Sequence, residues 1–121
     1  MNLKNFLIIE DETDLSAIIL NMIEVFGAKG QIADNADKAM KAIQQNNFDY
    51  FIIDLTLPDK TGLELYNDIV EHNPDYRGKA IFTSGLNVST ELRRVLDEHG
   101  AMFLAKPFTI EKFQNLIKNL L

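Results

Sequence analysis

The chain contains no cysteine, and it also lacks a long apolar run and a basic block. Without cysteine, disulfide bonds, thiolate catalysis and Cys-ligated metals are excluded together. No apolar stretch approaches the roughly 20 residues that cross a bilayer, and the start Met-Asn-Leu-Lys-Asn does not resemble a signal peptide. The 12 Lys and Arg residues are dispersed, and the formal net charge is −6. We therefore expect a cytoplasmic domain that makes no direct contact with nucleic acid or membrane.

The length of 121 residues suits one substantial core, and we expect residues 1–121 to form a single domain. Short apolar runs alternate with longer stretches of helical period, which predicts an α/β protein with a doubly wound parallel sheet and helices on both faces. The five predicted strands are 3–9, 31–33, 50–53, 80–83 and 102–105. The five helical stretches are 15–26, 36–43, 63–71, 90–99 and 110–120, with Thr109 as the last N-cap.

The helical periods also predict which side chains face the core. Ile18 in the first helix and Ile110 in the last both fall on apolar stripes, so we expect them to be buried. Right-handed crossovers favour the strand order 2-1-3-4-5, with a switch point between strands 1 and 3. Ligands of doubly wound sheets bind in the crevice at that point.

Three acidic residues stand where apolar runs end: Glu10 and Asp11 after the first, and Asp54 after the third. An unpaired charge inside a sheet is costly, so we expect all three to emerge at the carboxyl edge. Carboxylates held together raise one another's pKa unless a cation neutralises them, which indicates a metal ion or an ammonium group. A competing interpretation is that residues 10–12 form a solvated turn that favours the N-terminus of the next helix.

Oxygen ligands at a sheet edge favour Mg²⁺, which usually takes one or two carboxylates and a phosphate oxygen while keeping several waters. Asp11 and Asp54 face the predicted crevice, and the backbone carbonyl of Thr56 is a candidate for a further ligand.

Phosphoryl transfer is the chemistry that these residue types suit. A carboxylate such as that of Asp54 can attack phosphorus and form an aspartyl phosphate. Lys106, at the end of strand 5, could pair with a phosphoryl oxygen. A hydroxyl from Thr83 or Ser84 would lie between them, and only one of the two can point to the site, because neighbouring strand residues face opposite ways.

Four segments together resemble the receiver domains of two-component response regulators. The resemblance covers almost the whole chain. Its segments are Phe6-Leu7-Ile8-Ile9-Glu10-Asp11-Glu12, Ile52-Ile53-Asp54-Leu55-Thr56-Leu57-Pro58 with Gly62, Ile81-Phe82-Thr83-Ser84-Gly85, and Lys106-Pro107-Phe108.

The resemblance implies a flavodoxin-like fold and a phosphorylation-dependent switch. Asp54 would accept a phosphoryl group from a histidine kinase or a histidine phosphotransfer protein. Asp11 would bind Mg²⁺ directly and Glu10 mostly through water, with the Thr56 carbonyl completing the protein ligands and Mn²⁺ as a substitute metal. Lys106 would complete the charge balance only once phosphate arrives.

The same resemblance favours Ser84 as the switch hydroxyl, with Thr83 as the alternative. Ser84 lies 22 residues before Lys106 and is followed by the small Gly85, and both features fit the family. Phe103 occupies the aromatic switch position, so phosphorylation would change the face made by helix 4, strand 5 and helix 5. The apolar Leu86, two residues beyond Ser84, suggests slow self-dephosphorylation.

The implied partners are the phosphodonor and a downstream effector protein or output domain, with a phosphorylation-linked dimer as a further possibility. Rather than a conventional enzyme, we expect a phosphoacceptor that takes phosphoryl groups from small acyl phosphates and later hydrolyses its own aspartyl phosphate. The segment after Gly100 lacks the acidic-acidic-aromatic pattern of winged-helix regulators, so that output class is not supported. His72 and His99 lie near predicted helix ends, where the helix dipole favours a partly charged histidine.

Two other functions compete with the switch. One is a binding module that keeps the fold and works without phosphorylation, although it would be expected to lose one of the key residues. The other is an enzyme, either a flavodoxin-like FMN carrier or an aspartate-nucleophile phosphatase. The first needs a Gly/Ser/Thr-rich loop where residues 10–12 are acidic, and the second needs an acid where Thr56 stands.

Overall fold

A computed structural model describes residues 3–121 as a five-stranded parallel sheet with helices on both faces. The strands are β1 (Asn5–Ile9), β2 (Lys29–Ala33), β3 (Tyr50–Asp54), β4 (Ala80–Ser84) and β5 (Met102–Ala105). The helices are α1 (Thr13–Val25), α2 (Ala36–Gln45), α3 (Gly62–His72), α4 (Thr90–His99) and α5 (Ile110–Lys118), with a short 3₁₀ turn at Pro74–Tyr76. The order β2-β1-β3-β4-β5 confirms the predicted topology.

Apolar side chains on the two faces of the sheet form two separate clusters. On one face, alternate residues of β3 such as Phe51 and Ile53 pack with α2, α3 and α4. On the other, Ile52 packs with α1 and α5. The central strands are buried on both faces, which explains their nearly continuous apolar sequence.

The element boundaries differ slightly from those predicted. The first strand begins at Asn5 rather than at residue 3, and Leu3 is half-exposed. The second begins at Lys29, whose register partner is Asn5, although Gly30 and Gln31 carry no strand-like apolar pattern. Pairing with a neighbouring strand overrides local propensity at such an edge.

Two residues predicted to be buried are exposed instead. Ile18 on α1 is 50% exposed and Ile110 at the start of α5 is 60% exposed. Both lie at the margin of an apolar stripe, and a helical period cannot tell how far the neighbouring elements extend over that stripe.

The last residue of α4, His99, also differs from expectation. Its Nδ1 lies 2.7 Å from the hydroxyl of Tyr66 on α3, and the same hydroxyl accepts a hydrogen bond of 2.9 Å from the Gly78 N–H. Burial, together with the charges of Arg77 and Arg94, lowers the pKa of His99. The surroundings therefore favour the neutral imidazole, against the helix dipole.

Candidate functional site

The sheet register brings the strand-end acids together. Ile9 pairs with Ile53, so the residues that follow them, Glu10 and Asp54, leave the sheet at the same level. Asp11 is the next residue of the first loop. One carboxylate oxygen from each of the three acids can be chosen so that all lie within 4.8 Å of one another.

The three acids differ in their exposure to solvent. Asp11 is exposed, whereas Glu10 and Asp54 are only 2% and 6% exposed. All three therefore lie at the predicted carboxyl edge of the sheet, but two of them are shielded from solvent there. The cost of burying their charge is reduced by close polar partners, because a buried charge is tolerated when it is paired and hydrogen-bonded.

Lys106 is the main partner of the buried acids. Its Nζ donates hydrogen bonds to Glu10 Oε1 at 2.7 Å and to Asp54 Oδ2 at 3.2 Å. The expectation that Lys106 completes the charge balance only after phosphate arrives is corrected here, since the ammonium already neutralises carboxylates in the unmodified protein. Burial lowers the pKa of Lys106, but the hydrogen bond to Glu10 and the charges of both acids outweigh it and raise this pKa.

Glu10 carries the strongest electrostatic signal of the site. Burial raises its pKa from the ordinary value of 4.5 to about 7, although Lys106 and the Glu12 N–H both oppose the rise. The Asp54 charge adds a smaller rise. Crowding of like charges was expected to raise a pKa here, and it does, but desolvation is the larger cause.

Asp54 is oriented by backbone as well as by the ammonium group. Its Oδ1 accepts a hydrogen bond of 3.0 Å from the N–H of Thr56 in the following loop. Thr56 itself is exposed beside the acids. Gly62 closes this loop: its N–H donates to the Leu55 carbonyl, and an added Cβ would lie 2.4 Å from the Asp54 carbonyl oxygen.

The two candidate hydroxyls are placed differently. Thr83 is the register partner of Asp54, and Ser84 is the next residue, at the last position of β4. Both are buried, and the Ser84 Oγ accepts a hydrogen bond of 2.9 Å from the Leu86 N–H. Ser84 also lines a cleft of about 560 Å³ between the loops that follow β3 and β4.

The aromatic candidate, Phe103, lies on β5 in register with Phe82 of β4. It is half-buried and packs against the cluster on the α2, α3 and α4 face. Phe103 thus packs against the core of this face as a half-buried strand residue.

One structural residue of the site was missed from the sequence. Asp59, in the loop after β3, accepts hydrogen bonds from the first turn of α2. The segment around it signals only a loop, because Pro58 and Gly62 punctuate it. A carboxylate in a loop gives no indication of which distant helix it reaches.

The site thus combines a doubly wound sheet, an acid-lined crevice at its switch point and a lysine that follows β5. The response regulator receiver domain family matches residues 6–118 of the chain. The chain therefore belongs to this receiver domain family, a class of signalling domains rather than of conventional enzymes.

Individual relatives agree with the family. The response regulator receiver protein CpdR of Brucella abortus is 27% identical over 98% of both chains. The transcriptional regulatory protein MalR of Bacillus subtilis is 28% identical, and the hybrid signal transduction histidine kinase K of Dictyostelium discoideum is 25% identical. The chain spans 49% of the former and 10% of the latter.

Solved structures show the same fold. A CheY-like receiver domain from Methanospirillum hungatei has a TM-score of 0.84 and 26% identity, with 98% of this chain and 93% of that one covered. Chemotaxis protein CheY4 of Vibrio cholerae has a TM-score of 0.85 at 20% identity, with 99% and 100% covered, and so supports the fold alone. Within residues 3–121, no helix has the length and apolar character to span a membrane.

Proposed function

We propose that residues 1–121 form a single receiver domain that acts as a phosphorylation-dependent switch, with Asp54 as phosphoacceptor. One observation carries this proposal: Glu10, Asp11 and Asp54 converge to within 4.8 Å, and the Lys106 ammonium lies between Glu10 and Asp54. The donor would be a phosphohistidine of a histidine kinase or phosphotransfer protein.

The residues fit Mg²⁺, since three carboxylates supply hard oxygen ligands in one place. Asp11 and Asp54 would hold the ion directly, Glu10 mostly through water, and the Thr56 carbonyl would complete the protein ligands, with Mn²⁺ as a substitute. When bound, the ion would neutralise charge that develops on the phosphoryl oxygens.

Phosphoryl transfer then needs one oxygen of Asp54 to act as nucleophile. Thr56 holds Oδ1 through its N–H, so Oδ2, which contacts Lys106 at 3.2 Å, is the oxygen that attacks phosphorus. The new O–P bond forms as the N–P bond of phosphohistidine breaks, and the imidazole leaves with the bonding electron pair. Lys106 would pivot from the carboxylates to the incoming phosphoryl oxygen.

The switch would follow from a shift of the Ser84 hydroxyl toward the phosphoryl group, which breaks its hydrogen bond with the Leu86 N–H. Thr83 is the alternative hydroxyl. Phe103 would then repack and alter the face of α4, β5 and α5 that meets an effector protein, an output domain or a second copy. Leu86 is 70% exposed beside the site and would restrict the approach of the hydrolytic water, giving a slow loss of phosphate.

The test is incubation with acetyl phosphate and Mg²⁺, followed by intact-mass measurement of the wild type and of Asp54→Asn. We expect one added phosphoryl mass in the wild type and none in the variant. Omission of Mg²⁺ should also abolish the added mass. A wild type that gains no mass from acetyl phosphate or any kinase would refute the switch and favour a phosphorylation-independent binding module.

A further inference from the structure

Asp59, in the loop of residues 55–61, is connected to a helix that lies elsewhere in the chain. Its Oδ1 accepts a hydrogen bond of 2.9 Å from the Ala36 N–H, and its Oδ2 accepts one of 3.0 Å from the Asp37 N–H. These are the first two residues of α2. The pKa of Asp59 is lowered, first by the Ala36 hydrogen bond, as expected for a carboxylate at the positive end of a helix dipole.

Helix α2 already has its own N-cap. The side chain of Asn35 accepts a hydrogen bond of 2.8 Å from the Lys38 N–H. The helix therefore has a local cap on its third N–H, and Asp59 supplies a second cap from another loop, 22 and 23 residues away. A bond across such a distance constrains the loop as much as it stabilises the helix.

A short loop, closed by a bridge between its two ends, connects Asp59 to the site. Thr56 and Thr61 form an antiparallel bridge, so the two ends of the loop are held side by side. The N–H of Thr56 in turn holds Asp54 Oδ1. Only Leu57 and Pro58 lie between Thr56 and Asp59, so a displacement of Asp59 is expected to rotate the peptide groups of Thr56.

A second connection fixes the other side of the loop. Lys60 Nζ donates to Asp68 Oδ2 of α3 at 2.7 Å, with both side chains 40% exposed. Adjacent loop residues thus reach two different helices, Asp59 to α2 and Lys60 to α3. The exposed ion pair is the weaker constraint, because solvent screens it and its long side chain is flexible.

We propose that Asp59 is a positioning residue for the phosphoacceptor: its bidentate bond to α2 orients the 55–61 loop so that Thr56 presents its N–H to Asp54 and its carbonyl to Mg²⁺. This inference rests on the proposed function of the site. Within residues 3–121 the Asp59 carboxylate bonds α2 and not Asp54, so it would act only through the loop.

The test compares Asp59→Ala with Asn35→Ala in the full chain. Both variants remove a cap of α2, but only the first releases the loop. We expect Asp59→Ala to weaken Mg²⁺ binding and slow acetyl phosphate labelling by roughly tenfold, the size typical of lost outer-shell contacts. Asn35→Ala should lower the unfolding midpoint and leave both quantities within about twofold.

Two further variants separate loop orientation from charge. Asp59→Asn keeps one acceptor without the negative charge, so it should recover part of the lost Mg²⁺ affinity. Lys60→Ala, which removes the connection to α3, should have a smaller effect than Asp59→Ala. Equal losses of Mg²⁺ affinity in Asp59→Ala and Asn35→Ala would overturn the proposal, as would wild-type affinity in Asp59→Ala.

Amide hydrogen exchange gives a readout that needs no phosphorylation. The Thr56 N–H should exchange faster in Asp59→Ala than in Asn35→Ala, while exchange in β1 stays unchanged in both. If the wild type is not phosphorylated but this difference appears, the switch function fails and the positioning role of Asp59 stands. If phosphorylation proceeds and Thr56 exchange is the same in both variants, the positioning role fails alone.

Discussion

The loops after β3 and β4 border the same cleft, yet they are held very differently. The first, residues 55–61, is bonded to α2, to α3 and to the Asp54 carboxylate. The second, residues 85–89, has hydrogen bonds that, in the described chain, reach only Ser84 and α4. The loop beside Asp54 is therefore held by more contacts with other elements than the loop beside Ser84. The proposed switch would use this asymmetry, because one side would present the reacting group while the other responds to it.

Matched glycine substitutions in the two loops should show the largest difference in the free energy of unfolding. In Gly62→Ala the new Cβ meets the Asp54 carbonyl oxygen at 2.4 Å and the Leu55 Cα at 2.8 Å, and neither backbone atom can move easily. We expect a loss of about 3 kcal/mol in the free energy of unfolding, together with loss of labelling by acetyl phosphate. Urea titration and intact-mass measurement would check both.

Gly85→Ala is the control in the other loop. Its nearest atom is the Lys106 carbonyl oxygen at 3.9 Å, which is ordinary contact. The unfolding free energy should change by less than about 0.5 kcal/mol. Similar losses at the two glycines would show that the loops are equally constrained and would contradict the comparison.

A substitution near the C-terminal end of α4 should have a smaller effect on the free energy of unfolding. The Tyr66 hydroxyl bonds both the Gly78 N–H and His99 Nδ1, so α4 is held at its C-terminal end, whereas the loop at its N-terminal end makes few hydrogen bonds. Tyr66→Phe should cost about 2 kcal/mol, because the part-buried Gly78 N–H loses its acceptor and His99 loses its partner. Tyr50→Phe, whose hydroxyl has no hydrogen bond among residues 3–121, should cost less in the same urea titration.

His99 gives this region a pH dependence with a definite sign. Since its pKa is lowered in the folded protein, its contribution to stability is present above pH 6.5 and is lost as pH falls through the lower folded value. Subtracting the stability profile of His99→Gln from that of the wild type should isolate this loss. A difference that shrinks with rising pH instead would mean that the histidine is charged in the fold.

The fold followed from patterns that a single chain carries. Two-faced apolar strands and helical periods are local, so they predicted the five parallel strands, whereas the order came from the rule of right-handed crossovers. Strand ends likewise predicted that Glu10 and Asp54 would meet, because parallel register aligns carboxyl ends. The contact of Lys106 with both acids, and that of Asp59 with α2, depend on side-chain reach across loops. No period or spacing in the sequence encodes such contacts. This is why Lys106 was expected to complete the charge balance only once phosphate arrives.

The helix caps at the ends of the two loops should differ by a still smaller amount. Thr61 forms a capping box with Glu64, in which each side chain accepts a hydrogen bond from the backbone of the other. Ser89 makes one cap bond, to the Leu92 N–H. We expect Thr61→Ala to cost about 1.5 kcal/mol and Ser89→Ala about 1 kcal/mol in urea titrations. A larger loss at Ser89 would contradict the tighter hold on the first loop.

Glu10 tests whether protonation tunes the site beside Asp54, and its effect on Mg²⁺ affinity should be modest. Its pKa of about 7 means that Mg²⁺ affinity should rise between pH 6 and 8, by roughly threefold if Glu10 acts through water. Stability of the metal-free protein should run the other way. The Glu10 contribution is present below pH 4.5 and is lost as pH rises through about 7, since the buried acid prefers its neutral form. Isothermal titration calorimetry and urea titration would measure the two slopes, and Glu10→Gln should flatten both. Ser84→Ala should leave both unchanged, because a hydroxyl does not titrate in this range; slopes that survive in Glu10→Gln would assign the titration to another group.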